Sequence, residues 1–132
     1  AIALQQNSRQ DVQIITKRLQ IIQQELQKQP PVELELLRSL GTAYRQVNAP
    51  QLAVGIYEQI LALARSQQDI PTVEATLLAL VEMNLSYFDY IKATDNYREL
   101  LRMAEERSDR VKQIAYLKQL AYIYDQAKQH QM

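Results

Sequence analysis

The sequence has no cysteine, a single histidine, two glycines and four prolines in 132 residues. Each scarcity removes a class of explanation. Without cysteine there is no disulfide framework and no thiolate metal site. That fits a reducing compartment, and the cytoplasm is the expected one. The lone His130 has no second histidine or carboxylate pair to work with, so it makes neither a metal site nor a catalytic one. With so few helix breakers, long uninterrupted helices are the default expectation. Fifteen basic and fifteen acidic residues cancel, which leaves no electrostatic footprint for nucleic acid or an anionic membrane. No apolar run approaches the roughly 18 residues of a membrane span, and no secretory apolar region is present. There is no Gly-rich phosphate loop and no activated nucleophile, so neither enzymatic activity nor a cofactor is expected. The chain opens on Ala1 rather than Met and closes on helical sequence. It reads as a fragment of a longer protein, from which a targeting signal could have been removed.

What is present is helical periodicity. Residues 1–8 carry no clear period, and a helix is expected from about Ser8 to Lys28. In it Val12, Ile15, Leu19, Ile22 and Leu26 form one apolar seam, broadened by Ile14 and Ile21. Only about two heptads are present, so the seam reads as packing on a neighbouring helix rather than as a dimerising coiled coil. Pro30-Pro31 ends this helix, because a residue before proline is pushed out of helical conformation. A second helix follows to about Val47, with Leu34, Leu37, Leu40, Gly41 and Tyr44 on one face. After Asn48-Ala49-Pro50 a third runs to about Gln67, with Ala53, Ile56, Tyr57, Ile60, Leu61 and Ala64 inward. A fourth spans about Pro71 to Tyr87 and buries Leu77, Leu80, Val81 and Leu85. A fifth spans about Tyr90 to Arg107 and buries Ala93, Tyr97, Leu100, Leu101 and Ala104. The sixth begins near Asp109, with Ile114, Leu117, Leu120, Ala121 and Tyr124 inward. Gly55 sits inside a helix and marks either a close approach or nothing. Tyr87, Phe88 and Tyr90 flank a turn and are expected to pack beneath it.

These helices repeat. Sliding the chain by 40 residues aligns Pro31 with Pro71, Leu37 with Leu77, Leu40 with Leu80, Ala53 with Ala93 and Tyr57 with Tyr97. It also aligns Leu61 with Leu101, Ala64 with Ala104 and Asp69 with Asp109. A further slide sets Leu117, Leu120 and Tyr124 opposite Leu37, Leu40 and Tyr44. One register across large, small, aromatic and turn residues is more than chance similarity between Leu-rich helices would keep.

Leu37-x2-Leu40-Gly41-x2-Tyr44 followed by Ala53-x3-Tyr57 resembles the tetratricopeptide repeat signature. Leu37 stands where the family has Trp, and Tyr57 where it has Phe. The period of 40 exceeds the usual 34, and the excess would lengthen the second helix and its exit loop. The second copy departs further, with Val81 for Gly and Asn84 for Tyr. The resemblance covers about residues 32–126. It implies an all-α fold of antiparallel helical hairpins stacked as a right-handed α-solenoid of about six helices. The expected layout is one domain over 1–132: a capping helix at 8–28, repeats at 31–69 and 71–109, and the first helix of a truncated repeat at 110–129. Because a hairpin cannot bury its stripe alone, the last helix is expected to keep a partly open apolar side.

The resemblance also implies a function, a noncatalytic protein–protein interaction scaffold whose first helices line a concave groove. The groove positions would be Glu35, Arg38, Thr42 and Arg45, then Ala75, Leu78, Glu82 and Leu85, then Ala115, Lys118, Tyr122 and Asp125. Arginines would hold an acidic group while Leu78, Leu85 and Tyr122 make apolar contact with a peptide or helix. The carboxylate clamp of some family members is not expected, since Thr42 and Ala79 stand where it needs Asn. The alternatives are self-association, as a homodimer or end-to-end stack through the first or last helix, and a regulatory appendage of a larger protein.

Overall fold

The structure, a computed structural model, describes the backbone of residues 2–131 and the side chains of residues 8–129. Among these residues it is wholly helical. The six helices are α1 (Ile2–Gln27), α2 (Leu34–Gln46), α3 (Pro50–Ser66), α4 (Ile70–Ser86), α5 (Tyr90–Glu106) and α6 (Arg110–Gln131). The first helix therefore begins well before Ser8. The side chains of 1–7 and of His130 lie outside the described residues. The chain divides into two compact units, Ala1–Leu63 and Ala64–Met132.

In the first unit α2 buries Leu37, Leu40, Gly41 and Tyr44, the face its sequence period marks out. Gly41 is where α3 comes closest. A Cβ there would stand 3.1 Å from Tyr57 Cε2 and 3.3 Å from Ile56 Cγ2, so a methyl group would fit only if these side chains gave way by a few tenths of an ångström. Ala53, Ile56, Ile60 and Leu61 of α3 are buried. Tyr57 is only half-buried, less of a core anchor than expected. Gly55 has nothing within 4 Å of a built Cβ and marks no close approach.

The outcome for α1 differs from expectation. Val12, Ile14, Ile15, Ile21 and Ile22 are exposed, and only Leu19 and Leu26 of the seam are half-buried. Length accounts for the N-terminal part of it, whereas Ile21 and Ile22 are exposed within the part that meets α2. With 26 residues α1 is about 39 Å long, whereas 13-residue α2 is about 20 Å. The C-terminal part of α1 meets α2, where the buried Tyr44 Oη donates to Gln23 Oε1 at 2.6 Å.

In the second unit α4 packs on α5, and α5 on α6. Helix α4 is buried over most of its circumference, through Thr72, Val73, Thr76, Leu77, Leu80, Val81, Met83 and Asn84. Its buried polar atoms are satisfied locally or across the interface. Thr76 Oγ1 donates to the Thr72 carbonyl at 2.6 Å, and Asn84 Nδ2 donates to Asn96 Oδ1 of α5 at 2.9 Å. Helix α5 buries Ala93, Thr94, Leu100 and Ala104. Tyr97 and Leu101, expected inside, are half-buried, and Tyr97 meets Tyr116 of α6 at 5.9 Å between ring centres.

In α6 the buried residues are Tyr116, Leu120 and Ile123. Of the five residues expected inward there, Leu120 alone is buried; Ile114, Leu117, Ala121 and Tyr124 are exposed. The stripe that α5 buries and the stripe that continues the 40-residue register lie side by side on this helix, and of the second only Tyr124 meets α5, through Arg98.

The turns repeat at half the sequence period. Asn48, Gln68, Phe88 and Ser108 all have positive φ, between 56° and 59°, and stand 20 residues apart. At each, the positive-φ residue donates its N–H to a carbonyl three residues back. The next N–H reaches five back, at 2.9 Å, in the pairs Ala49–Tyr44, Asp69–Ala64, Asp89–Asn84 and Asp109–Ala104. That is the Schellman closure of a helix C-terminus. Where that next residue is Asp, at 69, 89 and 109, its side chain then caps the following helix. Asp89 Oδ1 accepts from Lys92 N, and Asp109 Oδ1 from Lys112 N, both at 3.1 Å. One residue thus closes one helix and opens the next, and α3, α4 and α5 all have 17 residues. The longer exit loop expected from a 40-residue period is absent, since three residues separate each helix from the next between α2 and α6; in the first repeat the second helix, α3, is the longer of the two.

Candidate functional site

The positions assigned to a groove are all on exposed or half-exposed helix faces. In the first unit Glu35, Arg38, Thr42 and Arg45 are exposed on α2. The Arg45 guanidinium stands over the Tyr57 ring of α3, 6.0 Å from its centre, within reach of a cation–π attraction. In the second unit Ala75, Leu78 and Glu82 of α4 are exposed and Leu85 is half-buried. On α6 Ala115, Lys118, Tyr122 and Asp125 are exposed.

Side chains tie the second unit together outside those positions. Lys112 Nζ on α6 bonds Glu74 Oε1 on α4 at 2.5 Å. Arg65, at the end of α3, makes a two-pronged pair with Glu99 of α5, the geometry that suits a guanidinium and a carboxylate. Arg98 Nη2 donates to Tyr124 Oη at 2.5 Å.

These surroundings shift a few proton affinities. Burial pushes the Tyr44 hydroxyl up. Burial does the same to Tyr97, helped by Tyr116 and Glu82, and to Tyr116, helped by Glu74. The hydrogen bond to Glu74 pushes Lys112 up. Each shift moves its group further from neutral pH and away from use as a nucleophile or general base. Among the described residues no three His, Asp or Glu side chains gather as metal ligands. Among them, too, no helix is long and apolar enough to cross a membrane.

Two features of the second unit stand out, of which the sequence anticipated only the second, as a partly open apolar side on the last helix. The first is a cleft of about 420 Å³ walled by Phe88 and Tyr90 at the turn, Ile91, Asp95 and Arg98 on α5, and Tyr124 on α6. Phe88 does not pack beneath its turn; it is 59% exposed. The other three positive-φ residues, Asn48, Gln68 and Ser108, are exposed too, so this turn geometry holds its positive-φ residue outside. A bulky side chain in that backbone region costs about 1–2 kcal/mol, and here little burial offsets it. The second feature is the bare row Ile114, Leu117, Ala121 and Tyr124 on α6. The repeat reading predicts the open side of this helix, while the helix period alone places these four residues inward.

Comparison with family models, curated proteins and solved structures finds no match to this chain.

Proposed function

We propose that the chain is a noncatalytic scaffold of the tetratricopeptide type, a stacked α-solenoid that binds a protein segment on the faces of its first helices. The supporting observation is a division of labour on α2 and α4. Leu37, Leu40 and Tyr44, and likewise Leu77 and Leu80, are buried. The interleaved positions Glu35, Arg38, Thr42 and Arg45, and Ala75, Leu78 and Glu82, are exposed. Buried positions build the repeat and leave the exposed ones free to specify a ligand. Arg38 and Arg45 suit an acidic group, while Leu78 and Tyr122 offer apolar surface without a charge of their own.

The test is binding of labelled acidic peptides with apolar residues, read by fluorescence anisotropy. Two double variants are compared with the parent, Arg38→Glu/Arg45→Glu and Leu78→Glu/Tyr122→Ala. Each should weaken binding at least about tenfold and leave the melting temperature nearly unchanged, since all four side chains are exposed. Binding that survives both variants, or no binding by any such peptide, sinks the reading.

A second reading, self-association, is favoured by α1. Its exposed Val12, Ile14, Ile15, Ile21 and Ile22 form an apolar surface of the kind that marks interaction sites. Its readout is the mass in solution.

A further inference from the structure

The bare row on α6 has two covered counterparts in the same chain. On α2 the row is Leu37, Gly41 and Tyr44, and Gly41 lies against Ile56 and Tyr57 of the next helix, α3. On α4 it is Leu77, Val81 and Asn84, and Asn84 bonds Asn96 of the next helix, α5. Both rows are buried; Leu77 is 0% exposed and Tyr44 is 0% exposed. On α6 the same register places Leu117, Ala121 and Tyr124, where Leu117 is 53% exposed and Tyr124 is 49% exposed. Ile114 extends the row and is 61% exposed. The surface repeats the register of the α4–α5 interface, and Tyr124 at its far end meets Arg98 of α5.

The ends of the row describe what would cover it. Positions 110, 114, 117, 121, 124 and 128 recur at alternating spacings of three and four, so they share one line along the helix. Arg110 begins that line and Lys128 ends it, and both are exposed. Helix α6 carries the cations Arg110, Lys112, Lys118 and Lys128 against a single carboxylate, Asp125. A helix lying antiparallel on it, as α5 lies on α4, would bring its C-terminal turn to Arg110. Acidic side chains and the negative end of a helix dipole are what a cation there attracts. At the other end the row opens into the 420 Å³ cleft beside Phe88, Ile91 and Tyr124, which has room for a large side chain from the first turn of the incoming helix. Phe88 in its strained backbone conformation stands at the mouth of this cleft.

We propose that this face is a docking slot for an amphipathic helix of a partner protein, of the same chemistry as α5. That helix carries Ala, then Tyr four residues on, paired Leu three and four later and a further Ala, as in Ala93, Tyr97, Leu100, Leu101 and Ala104. It ends in a turn like Glu105-Glu106. The α3 pattern fits less well, because Tyr57 lies against Gly41, whereas Ala121 carries a methyl group at that position. The α5 pattern already covers a larger residue, Val81. The slot adjoins the Lys118, Tyr122 and Asp125 positions on α6 without using them.

The probe is a labelled peptide of residues 89–107, with a copy carrying Glu at positions 93, 100 and 104 as control. It is titrated into the intact chain with anisotropy and circular dichroism as readouts. The parent peptide should bind saturably and gain helicity, and the control peptide should not. Leu117→Lys/Ala121→Glu should weaken binding at least about tenfold without lowering the melting temperature, because both side chains are exposed. Ile114→Lys serves the same purpose should the double variant fold poorly. Absence of saturable binding, or binding that neither variant weakens, overturns the proposal. So does light scattering that finds a dimer which Leu117→Lys/Ala121→Glu converts to monomer, because a second copy then occupies the face.

Discussion

Leu77 and Leu117 occupy the same register position 40 residues apart, on faces that their sequences do not distinguish. Leu77 is fully buried, while Leu117 is half in solvent. Leu77→Ala should therefore cost about 2–5 kcal/mol through lost transfer energy and a residual cavity. Leu117→Ala should cost well under 1 kcal/mol, as exposed substitutions usually do. Urea denaturation of the two variants checks this, and equal losses would mean that the α6 row is covered. Side-chain burial was legible from sequence for much of the central helices, as for Leu37, Leu40, Ile56, Ile60, Leu77, Leu80 and Leu100, though Tyr57, Leu85, Tyr97 and Leu101 are only half-buried. It was not legible for Tyr116 and Ile123. These lie on the side of α6 that meets α5, and the repeat register marks out the other side.

At the scale of the element the turn is the unit that recurs. Three of its four positive-φ residues, Gln68, Phe88 and Ser108, are types that pay for the left-handed conformation, whereas Asn48 tolerates it. Replacing Gln68 or Ser108 with Gly should stabilise by about 1 kcal/mol each, a rise of about 4 °C in melting temperature. Asp89→Ala should remove the cap on Lys92 N and cost about 1 kcal/mol. Thermal melts that move in the opposite senses would show that the turn geometry is not the one described. The turns were legible as turns from Asn48-Ala49-Pro50 and Ser108-Asp109. Their common spacing of 20 was not, because similarity of side chains ties alternate helices, giving 40. The backbone closure of each turn is indifferent to whether Asn, Gln, Phe or Ser occupies it.

At the scale of the whole molecule the open question is what meets the exposed isoleucines and valine of α1. If they associate with a second copy, the mass measured by light scattering should rise with concentration. Ile15→Lys/Ile22→Lys should return it to that of one chain. A single-chain mass throughout the concentration range removes self-association through α1 and leaves the scaffold reading. The two variants aimed at α6 give a separate readout, since they change residues of another helix.

By itself the sequence determined that the chain is helical, where most helices begin and end, and which face of each central helix is apolar. Those are local properties: breakers act on their own residues, and a period of 3.6 places side chains on one side of a helix whatever lies next to it. Only the tertiary structure decided which apolar faces are covered. An amphipathic stripe reads the same in α1, α4 and α6, yet burial belongs to a pair of surfaces and not to one of them. Leu77 is buried because α4 has its neighbour. Leu117 is exposed because the corresponding place beside α6 is open. That is why the repeat and an open side on its last helix could be read from residues alone, while the residues that stay bare and the cleft at Phe88 became visible only once the helices were packed.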